Sequence, residues 1–297
     1  MRGSTLIRAK ALLMRFMPRK GPSKPDLNES HWQEKASRKK GEMKVSVVVP
    51  CYNEIDNIQK LENEFFPVLE KLIGDRLPDG SEINDIEVVF VDDGSTDNTF
   101  EALKSAFGEP RDRPISVVFE KHEVNRGLGA AIRTGFHAAT GDILVTTDSD
   151  GTYQFSTIPA LLSRLSDGVD VVTASPYHPG GEVVGVPGYR IFLSRGSSLL
   201  YRILVNWQIH TYTSLFRAYR REVVDQIAFE ADDYLGATEL MVKGMLKGFR
   251  VGEYPAALHR RVFGISKARL LRTIVSHLRF QVRLLFHKFG VRSIFAE

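Results

Sequence analysis

Ile143-Leu144-Val145-Thr146-Thr147-Asp148-Ser149-Asp150-Gly151-Thr152 is the stretch whose reading decides the fold. Three aliphatic residues and two threonines read as a buried strand, and the two carboxylates after them as the loop at its carboxyl end. That edge of an open α/β sheet is where ligands bind. In an extended segment Asp148 and Asp150 point the same way and Ser149 the opposite way. Both carboxylates can then face one hard, oxygen-seeking cation such as Mg²⁺ or Mn²⁺. Taken alone the spacing fits equally well a solvated turn in which Asp and Gly suit the backbone. What raises it is the company of other loops that follow strands.

Working outward, Val45 to Val49 is a β-branched run ending in Pro50-Cys51-Tyr52-Asn53-Glu54. A helix through Ile58, Leu61, Phe65, Leu69 and Leu72 follows, with Asp56 or Asn57 placed to cap it. A second strand, Ile86 to Val91, runs into Asp92-Asp93-Gly94-Ser95-Thr96-Asp97-Asn98-Thr99, where Gly94 permits a tight turn and Asp97 or Asn98 can cap the next helix. The third, Ile115 to Phe119, leads to Asn125-Arg126-Gly127-Leu128-Gly129-Ala130-Ala131, a small-residue helix start that lets a helix approach the sheet or a phosphate closely. It is no dinucleotide fingerprint, having only G-x-G, and that after the third strand. Asp142 to Thr147 is the fourth strand and Val169 to Thr173 the fifth. Such alternation predicts an α/β fold: a mostly parallel sheet with helices on both faces and right-handed crossovers.

The chain has 297 residues, 43% hydrophobic and 26% charged, a globular composition. The one cysteine, Cys51, allows no internal disulfide and reads as a small packed hydrophobe in a reducing compartment. The formal charge of +4 hides a segregation. Residues 1–44 carry 12 Lys and Arg against 4 Asp and Glu, residues 261–297 carry 8 against 1, and residues 45–260 carry 20 against 31. Basic ends interleaved with Leu, Ile, Met and Phe suit an anionic lipid surface, and no nucleic-acid-binding motif accompanies them. No apolar run reaches the roughly 18–20 residues a membrane span needs, and the first residues lack the core of a secretory signal.

Val-Val-Val-Pro-Cys-Tyr-Asn-Glu, Val-Asp-Asp-Gly-Ser-Thr-Asp-Asn-Thr, Asn-Arg-Gly-Leu-Gly-Ala-Ala and the D-x-D, in this order, resemble a family 2 glycosyltransferase of the GT-A fold over residues 45–265. Ser194-Arg195-Gly196, Thr213-Ser214-Leu215-Phe216-Arg217 and Arg261-Val262-Phe263-Gly264-Ile265-Ser266-Lys267 resemble the polyprenyl-phosphate branch, typified by dolichyl-phosphate mannosyltransferase. The resemblance marks a domain at 45–260, and the charge pattern sets it between a basic extension at 1–44, whose first 20 residues fit a basic amphipathic helix or a disordered arm, and a basic amphipathic tail at 261–297. It also implies roles. Pro50, Tyr52, Glu54, Asp92, Gly127 and Ser149 would line the nucleotide-sugar pocket, with Asp93 reading the base. Asp148 and Asp150 would hold the diphosphate through Mg²⁺ or Mn²⁺. Arg261 and Lys267 would close over a phosphate, and Arg126, Arg133, Arg217 and Ser266 would place the acceptor phosphate. Glu239 matches a carboxylate position that would serve as base if one is used, with Asp232 and Asp233 as other candidates.

The chain departs from the branch pattern at Ser175, where relatives often have Arg, at Thr211, where they often have Asp, and at Gly151-Thr152. These departures bear on the sugar and on the third metal ligand. Tyr189 to Leu204 reads as an amphipathic helix bordering the acceptor site, an ordinary packed helix more readily than one lying on a membrane. In the tail, Leu271, Ile274, Val275, Leu278, Val282, Leu285 and Phe289 form one helical stripe, with Arg269, Arg272, Ser276, Arg279, Arg283 and His287 opposite, the composition of a helix lying in an anionic lipid interface. A helix docked on its own domain is the alternative.

The expectation is therefore an inverting, metal-dependent enzyme moving a hexose from a nucleotide sugar, of the GDP-mannose or UDP-glucose type, to a membrane polyprenyl or dolichyl phosphate. It would work at the cytoplasmic membrane surface, without nucleic acid and with any protein partner unspecified. Two other readings stay open: a hydroxyl acceptor, and a non-catalytic nucleotide-sugar-binding scaffold.

Overall fold

The computed structural model describes residues 41–109, 115–165, 168–261 and 270–295. Two of the expected acceptor and closing residues, Ser266 and Lys267, and the basic segment 1–40 lie outside them. Strand β1 (Glu42–Cys51) begins within the segment assigned to the N-terminal extension. A helical run, α1, spans 55–72, and β2 (Glu82–Asp92), α2 (Thr99–Phe107), β3 (Ile115–Lys121), α3 (Leu128–Ala138) and β4 (Ile143–Thr146) follow it. Then come α4 (Ile158–Ser163), β5 (Val171–Ser175), β6 (Glu182–Val184), α5 (Gly188–Leu204), β7 (Arg217–Arg220), α6 (Arg221–Gln226) and α7 (Leu235–Leu246). The described chain closes with β8 (Val251–Pro255), β9 (Ala257–His259) and α8 (Leu270–Lys288).

Seven strands form one sheet in the order β3-β2-β1-β4-β7-β5-β8. All pair in parallel except β7, which runs antiparallel to both β4 and β5. The five expected strands are all present; the antiparallel β7 was read only as a motif. Strand pleat explains how β1 fills two cores at once. Val45, Val47 and Val49 pack with Phe65, Phe66, Leu69 and Leu103 on one face, while Val48 packs with Val89, Ala131, Ile132 and Leu240 on the other. Each buried valine contributes about 1.5–3 kcal/mol, so a near-continuous Val run is a signature of a strand covered on both sides.

Register sets the site. Pro50 and Cys51 lie beside Val91 and Asp92, and Val48 beside Thr146. The loops after β1, β2 and β4 therefore emerge at one rim of the sheet. A third core joins α5, α7 and α8 through Tyr201, Tyr212, Met241, Phe280 and Leu284.

Candidate active site

At that rim opens a cleft of about 460 Å³ lined by Pro50, Tyr52, Asn53, Glu54, Asp93, Gly127, Asp148, Ser149, Asp150 and Arg261, among others. Nine of the site residues singled out from sequence meet in it. Its walls are stitched by short polar bonds. The β1 loop is tied to the β2 loop by Asn53, whose N–H donates to Ser95 Oγ (2.8 Å) and whose Oδ1 accepts from Thr96 N (2.7 Å). Asn53 holds a positive φ of 54°, which Asn tolerates better than most residues. Glu54 N donates to Thr99 Oγ1 (2.8 Å), and Asp97, not Asn98, carries the start of α2 by accepting from Thr99 N (3.0 Å). Neither Asp56 nor Asn57 caps α1 with its side chain.

Asp93 holds the β3–α3 loop. Its carboxylate accepts from His122 Nδ1 (2.7 Å), Asn125 Nδ2 (3.0 Å), Arg126 N (2.9 Å) and Gly127 N (2.8 Å). Any base contact must therefore be added to these four or displace one. Gly127 is required here: its φ is +107°, and a Cβ would stand 2.4 Å from the Asp232 carbonyl oxygen. That same carbonyl accepts from Gly129 N (2.7 Å) and Ala130 N (3.3 Å), so these two N–H groups at the small-residue start of α3 are taken by the 231–233 loop and not by a phosphate.

Asp148 and Asp150 face the same cleft, beside Tyr52 and Asp93. Burial and the neighbouring Asp150 charge push the Asp148 carboxyl up to about 8. Asp150 is engaged on both oxygens. Oδ1 accepts from Thr152 N (2.8 Å) and Thr152 Oγ1 (2.5 Å), and Oδ2 lies 3.0 Å from Arg261 Nε. Arg261 also pairs with Glu54, whose other oxygen accepts from Asn57 Nδ2 (2.5 Å). Two carboxylates, Glu54 and Asp150, thus share one guanidinium with Asp148 beside them, and that acidic, half-buried cluster fits a divalent cation. Thr152, one of the departures, supports Asp150 through hydrogen bonds. Ser175 and Thr211, the other two, bond to each other (2.7 Å) and so form a neutral buried pair. The domain boundary at 260/261 passes through this cleft, because Arg261 belongs to its wall.

Four expected residues stand elsewhere, and the structure corrects them. Arg217, expected at an acceptor phosphate, is fully buried and spends its guanidinium on Thr173 Oγ1 (3.2 Å), the Tyr212 carbonyl (2.7 Å) and the Ala237 carbonyl. Arg133 binds the Phe229 carbonyl (3.2 Å) and Asp232, tying α3 to the loop before α7. Glu239 is buried, accepts from Glu230 N (3.1 Å) and Ala231 N (2.9 Å), and pairs with Lys243 Nζ at 2.7 Å. Its carboxylate is thereby engaged within the fold and does not line the cleft. Asp92 lies beneath the cleft with no exposure, accepting from Ser95 N (3.3 Å) at the turn. Arg126 reaches the site through its backbone alone: it is exposed and absent from the cleft wall. Of the other base candidates, Asp232 is paired to Arg133, and Asp233 accepts from Ser276 Oγ (2.5 Å) and Leu235 N (3.0 Å). Tyr234, at the cleft wall, was missed. Its only signal in sequence was adjacency to those two aspartates.

The family model for glycosyl transferase family 2 matches residues 46–228, a span that includes the cleft-lining residues except Tyr234 and Arg261. The chain belongs to glycosyl transferase family 2. It is 32% identical over 245 residues to the dolichol-phosphate mannosyltransferase of Pyrococcus furiosus, covering 82% of this chain and 64% of that one, so it spans somewhat under two thirds of that relative's length. It is likewise 32% identical over 229 residues to the polyprenol monophosphomannose synthase of Mycolicibacterium smegmatis, covering 74% of this chain and 79% of the relative. Among solved structures it shares the fold of the Mycobacterium tuberculosis glucosyl-3-phosphoglycerate synthase complexed with Mn²⁺, UDP and glucosyl-3-phosphoglycerate, with a TM-score of 0.56 at 21% identity over 94% of this chain and 88% of that one. The expected family 2 architecture is therefore borne out.

Proposed function

We propose that this family 2 member transfers a hexose from a nucleoside-diphosphate sugar to a membrane polyprenyl phosphate. One observation carries the acceptor class. Each cleft carboxylate already has an occupation: Glu54 pairs with Arg261, Asp93 holds its loop, and Asp148 and Asp150 form the cation site. Glu239, Asp232 and Asp233 are bonded elsewhere. Among the described residues no candidate carboxylate is left as a base to activate a hydroxyl. A phosphate monoester needs none, being mostly dianionic at pH 7. The names of both curated relatives point the same way and add mannose as the hexose.

When bound, a divalent ion on Asp148 and Asp150 would offset the charge that grows on the departing diphosphate. Arg261 already leans on Asp150 and Glu54, and is the cationic side chain in the cleft wall best placed to turn toward that diphosphate. Tyr52, Pro50 and Tyr234 supply apolar wall against a base or sugar and help exclude water.

The membrane component rests on α5 and α8, which pack on each other. No helix among the described residues is long and apolar enough to cross a bilayer. α8 docks through His277, Phe280, Gln281 and Leu284, and turns Leu271, Val275, Leu278, Val282 and Leu285 to solvent, with Phe289 exposed just after its end. α5 does the same with Phe192, Leu199, Leu200 and Ile203. Leu271 is 80% exposed, Phe192 77% and Phe289 73%, among Arg195, Arg272, Arg279 and Arg283. An outward apolar stripe flanked by arginines is what an anionic lipid interface takes up. So the two readings of the tail combine: one face docks the helix, another faces lipid.

The test offers the purified chain labelled GDP-mannose and UDP-glucose with Mn²⁺, and either polyprenyl phosphate or the matching polyprenol. Label should pass to the phosphate alone. Equal transfer to the alcohol or to a glycan hydroxyl would overturn the reading.

A further inference from the structure

We infer that His178, His210 and Glu253 build a second metal site, of the nitrogen-rich Zn²⁺ class, separate from the aspartate pair. The three come from distant stretches. His178 follows β5, His210 lies between α5 and β7, and Glu253 is in the middle of β8, where it pairs with Thr173 of β5. A ligand atom from each lies within 4.8 Å of the other two. None of them lines the donor cleft.

Hydrogen bonds assign the ring nitrogens. The Glu253 side chain is only 4% exposed; its Oε1 accepts from His210 N (2.9 Å) and Thr211 N (2.9 Å), and its Oε2 lies 2.7 Å from His210 Nδ1. A carboxylate in that position accepts, so Nδ1 of His210 carries the proton and Nε2 the lone pair. His178 Nδ1 lies 2.6 Å from the Pro179 carbonyl oxygen, which can only accept. His178 too therefore presents Nε2 as a free lone pair. The two rings stand nearly perpendicular, at 77°, with centroids 5.2 Å apart.

Two imidazoles oriented through Nδ1, one of them by a buried carboxylate, make the carboxylate–histidine–metal arrangement that fixes tautomer and raises ligand basicity. Two nitrogens on a tetrahedral Zn²⁺ lie roughly 3.4 Å apart. His178 sits in a partly exposed loop followed by Pro179-Gly180-Gly181, and binding requires that loop to bring its ring toward that of His210, 5.2 Å away between centroids. Nitrogen ligands select Zn²⁺ over the hard Mg²⁺, whereas an all-carboxylate pair favours the latter. The remaining positions are left to water or an anionic oxygen. Filled, the site clips the loop after β5 to the segment before β7 and to β8, next to the buried Ser175–Thr211 pair.

The decisive experiment titrates Zn²⁺ alone, in millimolar Mg²⁺, into full-length metal-stripped protein carrying Asp148→Asn and Asp150→Asn, which removes the competing pair. One equivalent should bind. His178→Ala, in a partly exposed loop, and His210→Ala should each weaken it at least about tenfold, and Glu253→Gln by about 10–100-fold. On the protein with its histidines intact, the imidazole ¹⁵N spectrum should show Zn²⁺ shifting Nε2 and not Nδ1 of both rings, a readout independent of any variant's folding. Absence of Zn²⁺ binding in the aspartate-free protein, affinity unchanged by His178→Ala, or unmoved Nε2 resonances would each overturn the site.

Discussion

The donor cleft and the α5–α8 flank are built in opposite senses. In the cleft, carboxylates gather at the sheet's rim, Asp93 and Asp150 themselves buried, and are tied by short bonds to neighbouring loops, as Asp93 is by four donors. On the flank, polar His277 and Gln281 are buried while Leu271, Val282 and Phe289 face outward. The cleft is complete without another molecule except for its surplus charge; the flank, by the hydrophobic effect, is complete only against an apolar partner. Polar geometry is closed locally, whereas the direction a helix faces is set by what lies on both sides of it.

Four experiments sharpen or break this contrast. The largest effect is expected at the cation pair. Asp148→Asn or Asp150→Asn should lower the transfer rate by about a thousandfold, in line with loss of an electrostatic stabiliser in a water-excluded site, with an unfolding midpoint unchanged or raised because like charges are relieved. Steady-state rates with and without Mn²⁺ check it. A small loss would leave the cleft without its defining role.

Next is Glu239→Gln. Leaving Lys243 as a buried charge should cost about 3 kcal/mol in denaturant unfolding, while the folded fraction keeps its turnover. A collapse of turnover in folded protein would return Glu239 to the list of bases.

Third, His277 is buried against Tyr201, and desolvation lowers its pKa to about 4. A histidine depressed from about 6.5 in the unfolded chain adds stability that is present above that value and is lost as pH falls toward 4. Between about pH 7.5 and pH 5 the loss should be about 2 kcal/mol, absent in His277→Gln. Flat urea midpoints across that range would show that the α8 contact is looser than its burial suggests.

The smallest effect concerns the flank. Leu271→Ser with Leu278→Ser and Val282→Ser should weaken binding to anionic vesicles by about tenfold or more, because each removes roughly 1 kcal/mol or more of apolar burial. Unfolding midpoint should be unchanged. Retained vesicle binding would mean that the stripe serves something other than lipid.

Much of the cleft was legible because its chemistry is local. Val-Val-Val before Pro50, Val-Phe-Val before Asp92 and Leu-Val-Thr before Thr147 each announce a buried strand, and parallel pairing then brings their carboxyl ends to one rim. The arginines were not legible. Arg217 and Arg133 have the composition of phosphate ligands, yet backbone carbonyls claim both, and a carbonyl leaves no mark in a sequence. The bonding of Glu239 was hidden for the same reason: two backbone N–H groups nine and eight residues before it hold its carboxylate.

The one-dimensional pattern by itself determined the strands, the strand-end loops and the pairing of Asp148 with Asp150, because pleat and apolar periodicity act over a few residues. Only the tertiary structure decided which charges remain available, which face of α8 turns outward, and that His178, His210 and Glu253 meet. Those depend on contacts between segments tens of residues apart, where burial and hydrogen-bond saturation, rather than residue type, set what a side chain can do.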